Sequence, residues 1–173
     1  AVPRTVGASV AVALTAVEGA VRALAAALRA RGWRLATAES CTGGLVAAAC
    51  TSLAGSSDWF ERGFVTYSNE AKSELLGVAP ALLAAHGAVS EAVAQAMARG
   101  ALAHSRAQLA LAVTGIAGPA GAVPGKPVGT VWLAWATSAG VRAERLQLRG
   151  DRAAVREAAL AAALARLLEA ARA

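Results

Sequence analysis

The chain has 173 residues, of which 57% are hydrophobic and 16% charged. This composition excludes an intrinsically disordered chain and fits a single domain with one sizeable core. The net charge of +6 could indicate a polyanionic partner. However, the basic residues are dispersed from Arg4 to Arg172, and the chain has only four Trp, one Tyr and two Phe residues to stack on bases. We therefore expect no specific nucleic-acid partner.

Several classes of protein are disfavoured by the distribution of apolar residues and cysteines. The longest uncharged stretch, residues 107–125, contains prolines and glycines, so we expect no membrane span. The apolar segment 6–17 lacks a convincing signal cleavage site, and two cysteines give no disulfide framework, which favours a cytoplasmic location. With only His86 and His104 and no paired cysteines, we expect neither a metal site nor a cofactor.

Hydrophobic periodicity and capping residues predict alternating helices and strands. In chain order these are a helix over 15–31 opened by a Thr15-x-x-Glu18 capping box, a strand over 33–38, a helix over 45–53, a strand over 63–68, helices starting at Glu70, Pro80 and Glu91, strands over 109–114, 128–137 and 141–148, and a final helix capped by Asp151.

The order of these elements predicts an α/β fold. The strand over 109–114 is apolar throughout, which is typical of a central strand buried on both faces. Helices interleaved with strands, together with a hairpin between the last two strands, indicate a three-layer α/β/α domain with a mixed, mostly parallel sheet. We expect residues 1–173 to form one such domain, and leave open whether residues 1–14 are a poorly ordered N-terminal extension.

The first candidate site follows the strand over 33–38. Ser40 lies before Thr42-Gly43-Gly44 and a new helix, where free N–H groups can hold an oxyanion or a phosphate. The alternative is that Ser40 or Thr42 only caps that helix. Cys41 is a rival nucleophile, and Glu39 is either a base, an orienting group or an ordinary acidic residue at a helix start.

The second candidate site is the segment Tyr67-Ser68-Asn69-Glu70-Ala71-Lys72. Tyr67 and Lys72 can converge on one pocket, and a helix N-terminus disfavours an ammonium group, which lowers the pKa of a lysine. A neutral Lys72 amine is what activation of a serine requires. Alternatively, Lys72 extends to solvent and Tyr67 is a core residue.

A third polar loop, Thr114-Gly115-Ile116-Ala117-Gly118-Pro119, directly follows the buried strand. It offers backbone N–H groups and a hydroxyl to a small ligand. Three such loops lie at the carboxyl ends of predicted strands, which is where open α/β sheets bind ligands.

These segments resemble the CinA carboxyl-terminal domain family over residues 17–168. Five motifs in the same order carry the resemblance: TAESCTGG at 37–44, VTYSNEAK at 65–72, HGAVS at 86–90, TGIAGP at 114–119 and KPVGTV at 126–131.

The resemblance implies an amidohydrolase that converts nicotinamide mononucleotide (NMN) to nicotinic acid mononucleotide and ammonia, in the salvage of pyridine nucleotides. It implies Ser40 as nucleophile, Lys72 as the activating base and Tyr67 as a hydroxyl that relays or orients the proton. The same motifs supply the expected substrate-binding residues, which are Glu39, Thr42, Gly43, Gly44, Asn69, Thr114, Gly115, Ala117 and Gly118.

The resemblance also leaves alternatives. Lys126, Arg142 and Arg145 are candidates for binding the phosphate of the substrate, and the family implies a homodimer or higher homo-oligomer. The second functional hypothesis is a non-catalytic regulatory or binding module of a competence or DNA-damage pathway.

Overall fold

The computed structural model describes residues 6–173, with side chains described from residue 10 onwards. This part of the chain contains seven α-helices and five strands. The helices are α1 (Val6–Ala16), α2 (Glu18–Arg31), α3 (Leu45–Thr51), α4 (Asn69–Leu76), α5 (Pro80–His86), α6 (Glu91–Ala103) and α7 (Arg152–Arg172). The strands are β1 (Leu35–Glu39), β2 (Phe60–Val65), β3 (Leu109–Gly115), β4 (Thr130–Thr137) and β5 (Gly140–Gln147).

The five strands form one mixed sheet in the order β2-β1-β3-β4-β5. β1 pairs in parallel with both β2 and β3, whereas β4 is antiparallel to β3 and to β5. Four of the five strands therefore run in the same direction, and only β4 opposes them. The predicted three-layer fold with a mixed, mostly parallel sheet is confirmed.

Side-chain size differs between the two faces of the sheet. On one face, Leu35 and Leu111 pack with residues of α2, α3 and α7. On the other face, Ala38 and Ala112 pack under α4, α5 and α6, where Met97 of α6 is fully buried. Small side chains on this face let α6 lie close to the central strands, so the sheet is covered by helices on both sides.

Side chains cap the N-termini of three helices. The hydroxyls of Ser68 and Ser90 and the carboxylate of Asp151 accept hydrogen bonds from backbone N–H groups in the first turns of α4, α6 and α7. Gly32 and Gly77 end α2 and α4 with φ angles of 63° and 70°. These backbone angles favour glycine, which explains why the helices stop there.

The predicted capping box at Thr15 is wrong. Thr15 lies in the last turn of α1, where its hydroxyl donates to the carbonyl of Ala11 at 2.8 Å. The N-cap residue of α2 is Val17, which makes no side-chain capping bond, and Glu18 instead forms an ion pair with Arg22. Residues 6–14 belong to α1, and residues 1–5 lie outside the described residues.

Strand β2 starts three residues earlier than predicted. The prediction began at Gly63, so it left out the charged residues Glu61 and Arg62. β2 is an edge strand, where charged side chains are tolerated, and Arg62 pairs with the neighbouring Glu61 on the surface.

Within residues 6–173, no single helix is long and apolar enough to cross a membrane. Two helical segments joined by a bend, Val10–Ala16 and Glu18–Arg31, are together long and apolar enough.

Candidate active site

The carboxyl ends of β1, β2 and β3 meet at one edge of the sheet. Glu39, the last residue of β1, is level with Val65 of β2 and with Val113 of β3. The loops that follow these three strands enclose a cavity of about 220 Å³. The cavity is lined by Ser40, Cys41, Tyr67, Asn69, Lys72, Ala88, Val89, Thr114, Gly115, Ala117 and Arg152.

Ser40 and Lys72 contact each other at the base of this cavity. The Nζ atom of Lys72 lies 3.2 Å from the Oγ atom of Ser40. Ser40 is 8% exposed and Lys72 only 1% exposed. Burial lowers the pKa of Lys72, because the charged form loses its hydration. Among the described residues no carboxylate forms a salt bridge with Lys72, and the charge of a Cys41 thiolate opposes the lowering of its pKa less than burial causes it.

The other partners of Lys72 are backbone carbonyls, which can accept the N–H groups of a neutral amine. Its Nζ atom lies 2.9 Å from the carbonyl oxygen of Thr66 and 3.2 Å from that of Tyr67, with the carbonyl of Ser68 farther away at 3.5 Å. Carbonyl oxygens only accept hydrogen bonds, whereas a serine hydroxyl both donates and accepts. Two N–H groups directed at the carbonyls of Thr66 and Tyr67 leave the nitrogen lone pair for the proton of Ser40.

Cys41 is adjacent to Ser40 but is poorly suited to act as the nucleophile. Burial, with a smaller contribution from the negative charge of Glu39, raises the pKa of the Cys41 thiol to about 11. The thiolate is the reactive form of cysteine, and at neutral pH very little of it is present here. The arrangement therefore favours Ser40 over Cys41.

Glu39 stabilises the turn that carries Ser40. Its buried carboxylate accepts hydrogen bonds from the hydroxyl of Thr42 at 2.6 Å and from the backbone N–H groups of Val46 and Ala47 at 2.9 and 3.1 Å. Glu39 thereby accepts hydrogen bonds from two N–H groups in the first turn of α3, which have no partner within the helix. Neither Glu39 nor Thr42 is among the residues that line the cavity, although both were expected to bind substrate.

Two glycines shape the same turn. Gly43 and Gly44 have φ angles of 59° and 101°, which other residues rarely adopt. The N–H of Gly43 donates to the carbonyl of Ser40. Within the described part of the chain, the N–H groups of Cys41, Thr42 and Gly44 make no hydrogen bond, and of these three residues only Cys41 lines the cavity. Gly43 and Gly44 do not line the cavity.

Comparisons with known proteins show the family of this chain. Residues 17–171 match the model of the CinA C-terminal domain. The chain belongs to the CinA C-terminal domain family. Its matched region includes every residue that lines the cavity.

Two kinds of curated relative are similar to this CinA domain. It is 58% identical over 139 residues to the nicotinamide-nucleotide amidohydrolase PncC of Escherichia coli K12, with 80% of this chain and 84% of that protein covered. It is 56% identical over 137 residues to a CinA-like protein of Syntrophobacter fumaroxidans, which covers 79% of this chain. The chain spans about a third (32%) of that longer protein.

Solved structures of the family have the same fold. A competence/damage inducible protein from Agrobacterium tumefaciens is 45% identical, with a TM-score of 0.86 over 91% of this chain and 96% of that chain. A CinA superfamily protein from Klebsiella pneumoniae 700603 is 44% identical, with a TM-score of 0.87 over 90% of this chain and 98% of that chain.

Tyr67 lines the same cavity of the CinA domain as Ser40 and Lys72, but its hydroxyl is directed at Arg152. It follows the end of β2 in a loop and is 62% exposed. Its hydroxyl accepts a hydrogen bond from Nη2 of Arg152 at 3.2 Å, while Lys72 contacts only the carbonyl of Tyr67. No hydrogen bond joins the Tyr67 hydroxyl to Ser40 or Lys72 among the described residues. The hydroxyl lies on the side of the cavity that faces α7.

The third loop contributes through its backbone. Thr114, Gly115 and Ala117 line the cavity as expected, and the hydroxyl of Thr114 donates to the carbonyl of Ala88 at 2.9 Å. A side chain at Gly115 would meet Val131 at 2.6 Å, so the close approach of β4 requires glycine there. Asn69 also lines the cavity. Gly118 does not, but its carbonyl accepts a hydrogen bond from Arg152 at 2.9 Å.

Two arginines of α7 were missed by the sequence analysis. Arg152 lines the cavity, and Arg156, one turn later, donates to the carbonyls of Cys41 and Thr42. Neither arginine forms a salt bridge with any described residue. Their i, i+4 spacing directly after the capping Asp151 is the one signal in the sequence that could have drawn attention to this helix start.

The three expected phosphate ligands lie outside the cavity. The ammonium group of Lys126 donates to the carbonyl of His86, and Arg145 donates to the carbonyl of Gly125. Arg142 lines a different groove, beside Trp135.

Among residues 6–173, no three His, Cys, Asp or Glu side chains are grouped as metal ligands would be.

Proposed function

We propose that this CinA domain hydrolyses the carboxamide of NMN to nicotinic acid mononucleotide and ammonia. The observation that carries the proposal is the buried contact of 3.2 Å between Lys72 Nζ and Ser40 Oγ, in which Lys72 forms no salt bridge with any described carboxylate. The names of the PncC relatives, which are 54–58% identical, support this choice of substrate.

In the first half of the proposed reaction, the neutral amine of Lys72 takes the proton from Ser40 as Oγ attacks the carboxamide carbon. The carbonyl oxygen becomes an oxyanion, and the free N–H groups of Cys41, Thr42 and Gly44 are its candidate donors. Each such donor is worth about 3 to 4 kcal/mol to the transition state. The C–N bond then breaks, and Lys72 returns the proton to the leaving nitrogen, which departs as ammonia.

In the second half, water enters the place that ammonia has left. Lys72 takes a proton from the water, whose oxygen attacks the ester formed on Ser40. The ester C–O bond breaks, Ser40 regains its proton from Lys72, and the carboxylic acid is released. One water is consumed, and one acid and one ammonia are formed.

The phosphate of NMN needs a cation at the mouth of the cavity, and Arg152 is suited to this role. Two of its N–H groups are used by the neutral acceptors Gly118 and Tyr67, so the remaining donors and the full positive charge are free for a phosphate. Tyr67 then orients Arg152 and the substrate, and the expected relay of a proton between Tyr67 and Lys72 is not part of this arrangement.

We also propose that the reaction takes place in the cytoplasm and serves the salvage of pyridine nucleotides. Cys41 and Cys50 are free and buried, which is compatible with a reducing compartment. The homodimer that the family implies stays a prediction.

The proposal is tested by incubating the purified protein with NMN and separating the products by chromatography. Nicotinic acid mononucleotide and ammonia are expected in equal amounts. Recovery of unchanged NMN, or cleavage to free nicotinamide, would contradict the proposed reaction.

A further inference from the structure

Arg156 reaches the turn that carries the nucleophile from the opposite end of the chain. Its Nε atom donates to the carbonyl of Cys41 and its Nη2 atom to the carbonyl of Thr42, each at 3.2 Å. The Nη2 atom also lies 3.7 Å from the position that a side chain on Gly43 would occupy. The planar guanidinium therefore binds two successive carbonyls of one turn.

This contact fixes the direction of a backbone N–H group. In a trans peptide the C=O and N–H bonds point in opposite directions. Because the carbonyl of Cys41 is directed at Arg156, the N–H of Thr42 in the same peptide plane points away from Arg156. That N–H has no acceptor among the described residues, whereas the next one, of Gly43, is already bonded to the carbonyl of Ser40.

We infer that Arg156 is a positioning residue for the reaction on Ser40: it holds the Cys41–Thr42 peptide so that the Thr42 N–H is free to bind the oxyanion. The inference rests on the proposed function. Arg156 does not line the cavity and touches no substrate atom. It acts through the backbone of the turn.

The charge of Arg156 supports the same role. Its guanidinium is bound to neutral carbonyls and forms no salt bridge with any residue in the described ranges. The positive charge opposes part of the rise in the pKa of Cys41, whose side chain lines the cavity. The field of Arg156 thus reaches the place where negative charge develops during acylation.

The test compares Arg156→Met and Arg156→Lys with Arg172→Met. Arg172 is an exposed arginine in the last turn of α7, so the control removes the same charge from the same helix. For each variant, kcat and KM for NMN, the melting temperature, and the rate at which a fluorophosphonate phosphonylates Ser40 are measured. The fluorophosphonate reports the nucleophile and its oxyanion donors without depending on NMN as substrate.

A positioning role predicts a loss of rate without a loss of folded sites. Arg156→Met is expected to lower kcat and the phosphonylation rate constant by about 30- to 100-fold, with KM changed less than about threefold. The melting temperature and the final labelled fraction should match those of Arg172→Met. Arg156→Lys keeps the charge but not the paired donors, so it should recover only part of the rate.

Two results overturn the inference alone. One is an Arg156→Met protein with the rates of the Arg172→Met control. The other is a lower labelled fraction with an unchanged rate constant, which indicates a purely structural role. If Arg156→Met does not fold, the same measurements on Arg156→Lys test the inference. If the wild-type protein neither hydrolyses NMN nor reacts with the fluorophosphonate, the proposed function fails and the inference fails with it.

Discussion

A lysine that is 1% exposed and forms no salt bridge with a described acid is expensive to keep charged. Lys72 avoids most of this cost when it is neutral, and the two carbonyls at 2.9 and 3.2 Å then accept both of its N–H groups. An arginine at this position would stay protonated and could not serve as a base. The chemistry of the candidate site therefore depends on the protonation state of Lys72.

The first prediction concerns pH. Burial lowers the pKa of Lys72 below its ordinary value of 10.5. Below the folded-state pKa the amine is protonated and cannot accept a proton from Ser40, so kcat/KM should fall as the pH falls through it. Measured from pH 5 to 11, kcat/KM should rise with a slope of one and level off below pH 10.5.

The matched control for this profile is Cys41→Ala. The pKa of Cys41 is raised to about 11, so a reaction that used the thiolate would titrate near that pH. Cys41→Ala should leave the profile unchanged, and Lys72→Met should abolish the activity. A midpoint near 11 that disappears in Cys41→Ala would contradict the assignment of Ser40 and Lys72.

The second prediction concerns Arg152 and the phosphate. Arg152→Gln removes a cation from the mouth of the cavity, and charge-assisted hydrogen bonds contribute about 1.5 to 3 kcal/mol. KM for NMN should rise about 10- to 100-fold with kcat nearly unchanged. For nicotinamide riboside, which is the same molecule without the phosphate, KM should change less than about threefold.

Arg142→Gln provides the charge-matched comparison, because Arg142 is exposed and lines a different groove. It should leave KM for both substrates unchanged. An equal rise in KM for NMN and for the riboside in Arg152→Gln would show that Arg152 does not bind the phosphate.

At the scale of the elements, α6 packs so closely against the end of α4 that one position of α6 must be glycine. A side chain at Gly100 of α6 would overlap the backbone carbonyl of Leu76, the last residue of α4. Leu76 itself is 2% exposed and cannot move easily, because it is packed in the core under α6. Glycine is thus needed at position 100 to let the two helices approach.

The third prediction tests this packing. Gly100→Ala should lower the free energy of unfolding by about 3 kcal/mol, because the added methyl group forces the helices apart. Gly19→Ala in α2 adds a methyl group with no atom within 4 Å and should raise the free energy of unfolding by about 0.5 to 1 kcal/mol. Urea unfolding of both variants measures the difference. Equal stability of the two variants would contradict the packing argument.

Local chemistry explains which elements the sequence could predict. The apolar run of β3, the glycines that end α2 and α4, and the caps Ser68, Ser90 and Asp151 are all local signals, and each is found in the structure. The start of α2 was mispredicted because Thr15-x-x-Glu18 has the right residues for a capping box but lies at the junction of two helices.

In the candidate site, too, some residues could be predicted from the sequence and others could not. Ser40 and Lys72 follow the ends of neighbouring parallel strands, so their approach could be predicted from the order of elements and from the family motifs. Arg156 contacts Cys41 and Thr42 across 115 and 114 residues of sequence. That contact depends on how α7 packs beside α3, which no local pattern specifies.

At the scale of the whole molecule, the net charge of +6 is spread over the chain. Arg152, which lines the cavity, and Arg156, one turn later in α7, nevertheless lie near each other, and neither is paired with a described acid. A positive field at the mouth of a cleft attracts anionic substrates. On the proposed mechanism, the molecule combines Lys72 as a neutral base deep in the cavity with cationic groups toward α7, which suits an amide substrate that also carries a phosphate.

The fourth prediction is the most direct test of this combination. Ammonia release from NMN is measured for the purified wild-type protein, for Ser40→Ala and for Cys41→Ala, with circular dichroism to verify that all three are folded. Wild type and Cys41→Ala should release ammonia at rates within about threefold of each other, whereas Ser40→Ala should lose at least about a thousandfold, the usual cost of removing a catalytic nucleophile. Ammonia release by folded Ser40→Ala at the wild-type rate would contradict the account.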